Sequence, residues 1–443
     1  MIDKQKLLDI LTAEIEPSTG CTDPGSVCLA VAAAVHTLGV QPEKIEVLVS
    51  PDIYKNGVSV GIPGTGRVGL DLAAAIGALL DEPERGLAIL SDVTSSVVQR
   101  AECIVNDGRV HVSYGCTPDP LYVQATVYSG DNEACAIIQG DYSCVTRILL
   151  NGKLVKQATA HSNVADDYSL TEYSVEELYD TVTSIDSAYF RFLLEDARRN
   201  LEAAGEDLNM PELPLGKLLK ERITDQMSGP LAVSAAAQTY TAAAGEARMS
   251  GMNVTIMAIS GSGNHGITNF VGVLSAAQAL GASESRTATA LAISSIITIY
   301  IKAYIKRMTA FCGCGVAAAT GMAAAVTYLL DGSYETAVHA MQTVIGTIGG
   351  MFCDGAKISC AYKLSTAAFL AVQAAYLAIS GCFVPAGVGI IGESIEQTFA
   401  NVGRLNNPAM LATDQEIIAI IAKNQQCLSV YGQAEIQERG KGK

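Results

Sequence analysis

Three long stretches without Asp, Glu, Lys or Arg constrain this chain more than any motif: Gly251–Ser283, Met308–Leu330 and Leu364–Gly392. Each exceeds the roughly 20 residues a helix needs to cross a bilayer. Such stretches must lie in lipid or be buried against one another. Their make-up favours burial, because they are rich in Ala, Gly, Ser and Thr rather than Leu, Ile and Phe, and the first holds Asn253, Asn264, His265 and Asn269. The chain has no Trp for an interfacial belt, although Tyr could stand in. The expectation is a helical core in which small residues let helices come close, with no membrane association. A set of membrane spans is the competing reading.

At 443 residues the chain suits about two domains of roughly 100–200 residues or more each, with ample material for a core. Its 45 acidic against 29 basic residues, a net charge of -16, leave no basic stripe to neutralise phosphates, which excludes a nucleic-acid partner. A hydrophobic fraction of 49% with 17% charged excludes a largely disordered chain. The charged, amphipathic segment Asp3–Leu11 offers no secretory h-region, so a cytoplasmic location with reduced thiols is expected. So apolar a helical surface also suggests a homodimer.

Periodicity divides the chain. Residues 3–15 read as an amphipathic helix, and a second, buried helix is expected after Cys21-Thr22-Asp23-Pro24, with Pro24 in its first turn. Lys44–Ser50 alternates like a strand, Asn56–Gly66 is glycine-rich, and Arg67–Leu80 and Asp92–Asn106 look helical. Five short β-like segments then run from Arg109 to Gln157, separated by turns such as Asn106-Asp107-Gly108 and Asn151-Gly152. From about Thr171 the pattern is helical to the end, with helices expected near 175–204, 213–225, 229–249, 267–281, 284–306, 313–330, 333–348, 363–380 and 409–425. The fold class expected is α+β. Residues 1–42 and 172–443 would form a large all-helical catalytic domain, and 43–171 a smaller inserted α/β domain.

Of the twelve cysteines, four crowd into two glycine-rich turns, Phe311-Cys312-Gly313-Cys314-Gly315 and Phe352-Cys353-Asp354-Gly355-Ala356-Lys357-Ile358-Ser359-Cys360. Thiols so grouped suit a soft-metal or iron–sulfur site, and the C-x₆-C spacing fits a zinc knuckle poorly. The bland reading is buried cysteine as a small hydrophobe, and it is preferred for Cys28, Cys103, Cys135, Cys144 and Cys382. Cys21 precedes a predicted helix, whose dipole would lower its pKa. It is either an acid/base, an extra metal ligand or an incidental capping-loop residue. Two glycine-rich loops, Lys55–Gly66 and Ser260–Gly266, could present backbone amides to an anion or be plain turns. Neither matches a P-loop or a dinucleotide fingerprint. His36, His111, His161 and His339 stand in no recognisable motif.

Taken together, Glu16-Pro-x-x-Gly-Cys-Thr-x-Pro24, Asn56-Gly-x-x-Val-Gly-Ile-Pro-Gly64, Gly261-Ser-Gly-Asn-x-Gly266, Cys312-Gly-Cys314 and Cys353-Asp-Gly-Ala-Lys-x-Ser-Cys360 resemble the L-cysteine desulfidase family, which is related to the α-chain of iron–sulfur L-serine dehydratases. The resemblance implies a lyase with a [4Fe-4S] cluster on three cysteines: Cys353, Cys360 and either Cys312 or Cys314. Cys312 keeps the better spacing to Gly321-Met322-Ala323-Ala324 and is taken here. Cys21 is the implied base, and Asn56, Gly64, Ser262, Asn264 and His265 the implied substrate contacts, His265 standing where the family more often has Gln. The implied reaction takes L-cysteine to sulfide, pyruvate and ammonia. Dehydration of L-serine is the runner-up. A pyridoxal lysine, with Lys357 the one to check, a membrane transporter, and a non-catalytic metal- or sulfur-binding protein are the other readings.

Overall fold

A computed structural model describes residues 2–80, 82–91, 93–158, 170–223 and 227–440, with side chains to residue 425. His161 lies outside the described residues. The structure is mixed α and β, as expected.

The β-like segments form one six-stranded sheet in the order Val110–Tyr114, Lys44–Val49, Tyr122–Ser129, Asn132–Gln139, Val145–Leu150, Lys153–Gln157. Only the first pair is parallel. Alternation decides what each face does: Ile45, Val47 and Val49 are buried, whereas Lys44 is exposed and Glu46 and Leu48 only partly covered. The buried face is covered by helices Thr22–Leu38 and Leu70–Leu80, whose Val27–Val35 and Leu70–Ala78 side chains complete this core. By packing, then, the Thr22–Leu38 helix groups with the sheet, although the chain pattern put residues 1–42 with the helical part.

The other core is helical. Helix Glu284–Ile305 runs through its middle with 94% of its apolar stretch buried, against Val175–Ser184, Arg191–Asp207, Ala319–Leu329 and Ile395–Arg404. Helix Ser359–Ile379, also long and apolar enough to cross a membrane, is 50% buried and packs on Gly229–Ser250 and Tyr334–Ile348. The small residues have the role expected of them. A Cβ on Gly321 would stand 2.4 Å from the Ser294 carbonyl oxygen, so only glycine allows that helix crossing. Asn269 is one buried polar group in this core that finds partners: its Oδ1 accepts from Thr298 at 3.1 Å and from Ser294, and its Nδ2 donates to the His265 carbonyl.

Two departures from the chain pattern matter. The helix expected over 175–204 is broken after Ser184, where Asp186 caps a short 3₁₀ turn before a new helix, Arg191–Asp207. Ile15–Thr19 also pairs antiparallel with Thr255–Ile259, a ribbon that periodicity did not indicate. This ribbon brings the start of the Thr22–Leu38 helix against the Ser260–Gly266 turn.

Candidate active site

The two cysteine turns are stitched together by backbone. Phe311 pairs with Phe352, the Cys312 amide donates to the Met351 carbonyl, and the Cys353 amide donates to the Ala310 carbonyl, each at 2.7 Å. Cys314 opens a π-helical turn, Cys314–Ala318, and Cys360 sits in the first turn of Ser359–Ile379. Such π turns recur at functional sites. Two glycines here have no substitute. A Cβ on Gly313 would lie 2.1 Å from His265 Nε2, and one on Gly355, whose φ is +89°, would lie 2.1 Å from the Lys55 carbonyl oxygen.

Cys312, Cys314, Cys353, Cys360 and Cys21 all line one cavity of about 100 Å³, as do Asn56, Ser262, Asn264 and His265. Gly64 does not. It sits in a turn with φ +72°, its amide donating to Gly251. The glycine-rich loop around it serves close backbone approach instead: a Cβ on Gly61 would be 2.4 Å from the Ser250 carbonyl carbon. The remaining thiols depart in part from the packing role. Cys28 is buried, but Cys103, Cys116 and Cys382 are exposed, and Cys135 and Cys144 are partly covered.

The charges around the cavity are arranged by burial. Cys21 is the N-cap of the Thr22–Leu38 helix, yet its thiol pKa is raised rather than lowered. Burial and then the neighbouring Asp23 carboxylate outweigh the helix dipole. Its Sγ donates to Asp23 Oδ2 at 3.2 Å. Asp23 is itself pushed up to about 6 by burial, against hydrogen bonds from Cys21 and Asn56 and the charge of Arg248. Its Oδ1 is buried with no hydrogen-bond partner. His265 is held neutral: burial, then Lys302 and Arg248, push its pKa down to about 3, and its Nδ1 lies 3.2 Å from the Ile259 carbonyl oxygen.

The four clustered thiols differ from one another. Cys312 is lowered to about 6, first by a hydrogen bond from Cys314, while Cys314 is raised in consequence. Burial raises Cys353, and raises Cys360 to about 11. Three ammonium groups work the other way: Lys363 beside Cys312, Lys55 beside Cys353 and Lys357 beside Cys360 each favour a thiolate. Lys55 is buried and paired with Asp52 at 3.1 Å and Asp414 at 2.6 Å. Lys357 is paired with Asp354 at 2.7 Å and is not among the residues lining the cavity, which gives a pyridoxal linkage there no support.

This donor set fits an iron–sulfur cluster by its chemistry. It is made of soft thiols, with cations behind them to offset the negative charge that thiolates and sulfide would bring. Among the described residues no three His, Cys, Asp or Glu stand close enough together to hold a single metal ion. A cluster, whose irons occupy separate corners, needs its thiols spread around it.

Chain pattern alone did not single out Asp23, Tyr142, Arg248 or Arg307, which also line the cavity. Arg248 ends an alanine-rich helix, where a basic residue usually reads as a solvated terminus. Tyr142 and Arg307 lie in turns without a motif. The only available signal was the isolation of buried charge in apolar surroundings.

Comparison with known proteins covers most of the chain. The sequence profile described as the serine dehydratase alpha chain matches residues 84–419. A UPF0597 protein of Methanocella arvoryzae is 48% identical over 421 residues, 95% of this chain and 99% of its own length. UPF0597 proteins of Clostridioides difficile and Bacteroides thetaiotaomicron are each 35% identical, over 94% and 96% of this chain and 98% and 99% of their own.

Proposed function

The chain belongs to the serine dehydratase alpha chain family, and from that premise we propose that it is an iron–sulfur lyase eliminating sulfide from L-cysteine to give pyruvate and ammonia. The observation that carries the reading is the meeting of Cys21 with Cys312, Cys314, Cys353 and Cys360 on the wall of one small cavity. Cys312, Cys353 and Cys360 would hold a [4Fe-4S] cluster. Cys314 lines the same cavity and is the alternative third ligand. When bound, a cluster with three protein thiolates supplies an open iron that acts as a Lewis acid toward the leaving sulfur or oxygen.

The chain's own residues do the rest. Cys21 Sγ exchanges the proton at the substrate Cα. Burial and Asp23 raise the pKa of that thiol, so before it can act as base it must release its own proton to solvent, which positive charge entering beside it favours. The substrate ammonium is such a charge. His265, neutral and aimed at Gly313, keeps the cysteine turn in place without adding charge. Elimination leaves aminoacrylate, which tautomerises and hydrolyses.

The second reading is L-serine dehydration, favoured by the description of the matching family. Anaerobic turnover with each amino acid, assayed for sulfide and pyruvate, separates them. Pyruvate from serine with no sulfide from cysteine would overturn the first choice. Cys21→Ala is expected to keep iron and sulfide but to lose turnover. Full activity in that variant would remove Cys21 as the base.

A further inference from the structure

A charged pair with unspent hydrogen-bonding capacity faces the same cavity. Arg248 is 3% exposed and Asp23 is 3% exposed. Arg248 Nη1 donates to Asn264 Oδ1 at 2.9 Å, but Arg248 Nε has no partner. Asp23 Oδ2 accepts from Cys21, but Asp23 Oδ1 has none. A buried donor or acceptor left unmade costs on the order of 1–3 kcal/mol, and more when it is charged. Both side chains line the cavity, so their opposite charges point to a ligand that carries one charge of each sign.

The surroundings are built to hold the pair as it is. Arg248 lies flat on the Ser262–Gly263 turn, where a Cβ on Gly263 would be 2.4 Å from Nε. The turn's amides are partly spent, since Ser262 donates to Ile259 and Gly266 donates to Ser262. The glycine-rich turn thus presents a guanidinium to the cavity rather than its own amides. Asn264 orients that guanidinium, and Asn56 lines the cavity with Asp23. The other cavity arginine also has an unpartnered Nε, but its charge is already met by carboxylates: Arg307 is paired with Asp141 at 3.2 Å and stands 4.0 Å from Glu14, whereas Arg248 has no ion pair among the described residues.

We propose that Arg248 and Asp23 form the recognition site for an α-amino acid zwitterion, Arg248 taking the carboxylate and Asp23 the ammonium. The inference deepens the lyase reading and rests on it for the identity of the small side chain, which faces the thiols. Arginine and aspartate together are neutral, and so is the ligand, so no net charge is buried on binding. Holding both ends of the zwitterion places Cα beside Cys21, which is bonded to the same carboxylate, and makes the site select one hand of the ligand.

The test is calorimetric titration of the full chain, with and without reconstituted cluster, using L-serine, D-serine, L-lactate and ethanolamine. L-serine should bind, and each of the other three about ten- to a hundred-fold more weakly, because each loses a charge-assisted contact or its placement. Asp23→Asn should weaken L-serine by a similar factor while leaving L-lactate unchanged. Arg248→Lys, which keeps the charge but loses the planar fork, should weaken both. Equal affinity of folded Asp23→Asn for L-serine, or of wild type for L-serine and L-lactate, would overturn the proposal. Binding with this pattern but without elimination would sink the lyase reading alone. Elimination with wild-type KM in both variants would sink this inference alone.

Discussion

Asp23 shows how one side chain carries opposed demands. Its folded pKa, about 6, lies above the ordinary carboxylate value of 3.8. The folded state therefore holds its proton more tightly, and stability is lost as pH rises from the unfolded to the folded value. Above pH 6 the ionised group costs the fold up to about 3 kcal/mol. Asp23→Asn is accordingly expected to raise the melting temperature at neutral pH while damaging ligand binding, and a melt on either side of pH 6 checks the sign. For the same reason, amino-acid affinity should fall about tenfold per unit as pH drops below about 6. The groups facing Asp23 are Cys21, Asn56, Arg248 and Tyr142, and burial raises the Cys21 thiol and the Tyr142 phenol away from that value. The cysteines of this site were legible because thiols crowded in two turns are rare. Asp23 and Arg248 were not, because a single charge near a helix end looks the same whether it is solvated or buried.

At the level of elements, legibility followed the distance over which the evidence acts. The strands between Val110 and Gln157 are short β-like runs separated by turn residues, Asp107-Gly108 and Asn151-Gly152 among them, so they were readable from local sequence. The ribbon of Ile15–Thr19 with Thr255–Ile259 was not, since it carries Pro17 and its partner lies in a distant, otherwise helical segment. The same holds for the Thr22–Leu38 helix, whose apolar surface shows burial but not which core receives it. The helix crossing at Gly321 allows a direct test. In an open helix Gly→Ala would stabilise by about 1 kcal/mol. Here the added methyl meets the Ser294 carbonyl oxygen at 2.4 Å, and overpacking at about 1–3 kcal/mol should win. Urea unfolding of Gly321→Ala is expected to show a net loss, and a gain would mean the two helices separate more easily than the packing implies.

Across the whole molecule, the site joins parts of both cores. Tyr142 packs in the sheet's core, and Cys21, at the start of a helix that covers the sheet, shares a third apolar cluster with Cys312, Cys314, Cys360 and Ala243, Ala244 and Ala247 of the Gly229–Ser250 helix. Anything bound between these parts should hold the folded state together by mass action. Protein purified without oxygen is expected to contain iron and sulfide, and stripping the iron by chelation should lower the melting temperature. Cys353→Ala should contain neither and melt like the stripped wild type. A variant that retains iron would remove Cys353 from the ligand set. The bridge between Phe311 and Phe352 also sets a schedule for biosynthesis. The sheet has all its strands once Gln157 has been made, but the thiol wall is incomplete until Cys360 leaves the ribosome. At about 5–20 residues per second that interval is roughly 10–40 s. For that time the sheet's strands are all present while the thiol wall is incomplete, so a cluster held by Cys312, Cys353 and Cys360, as proposed, would be inserted only after this region has been translated.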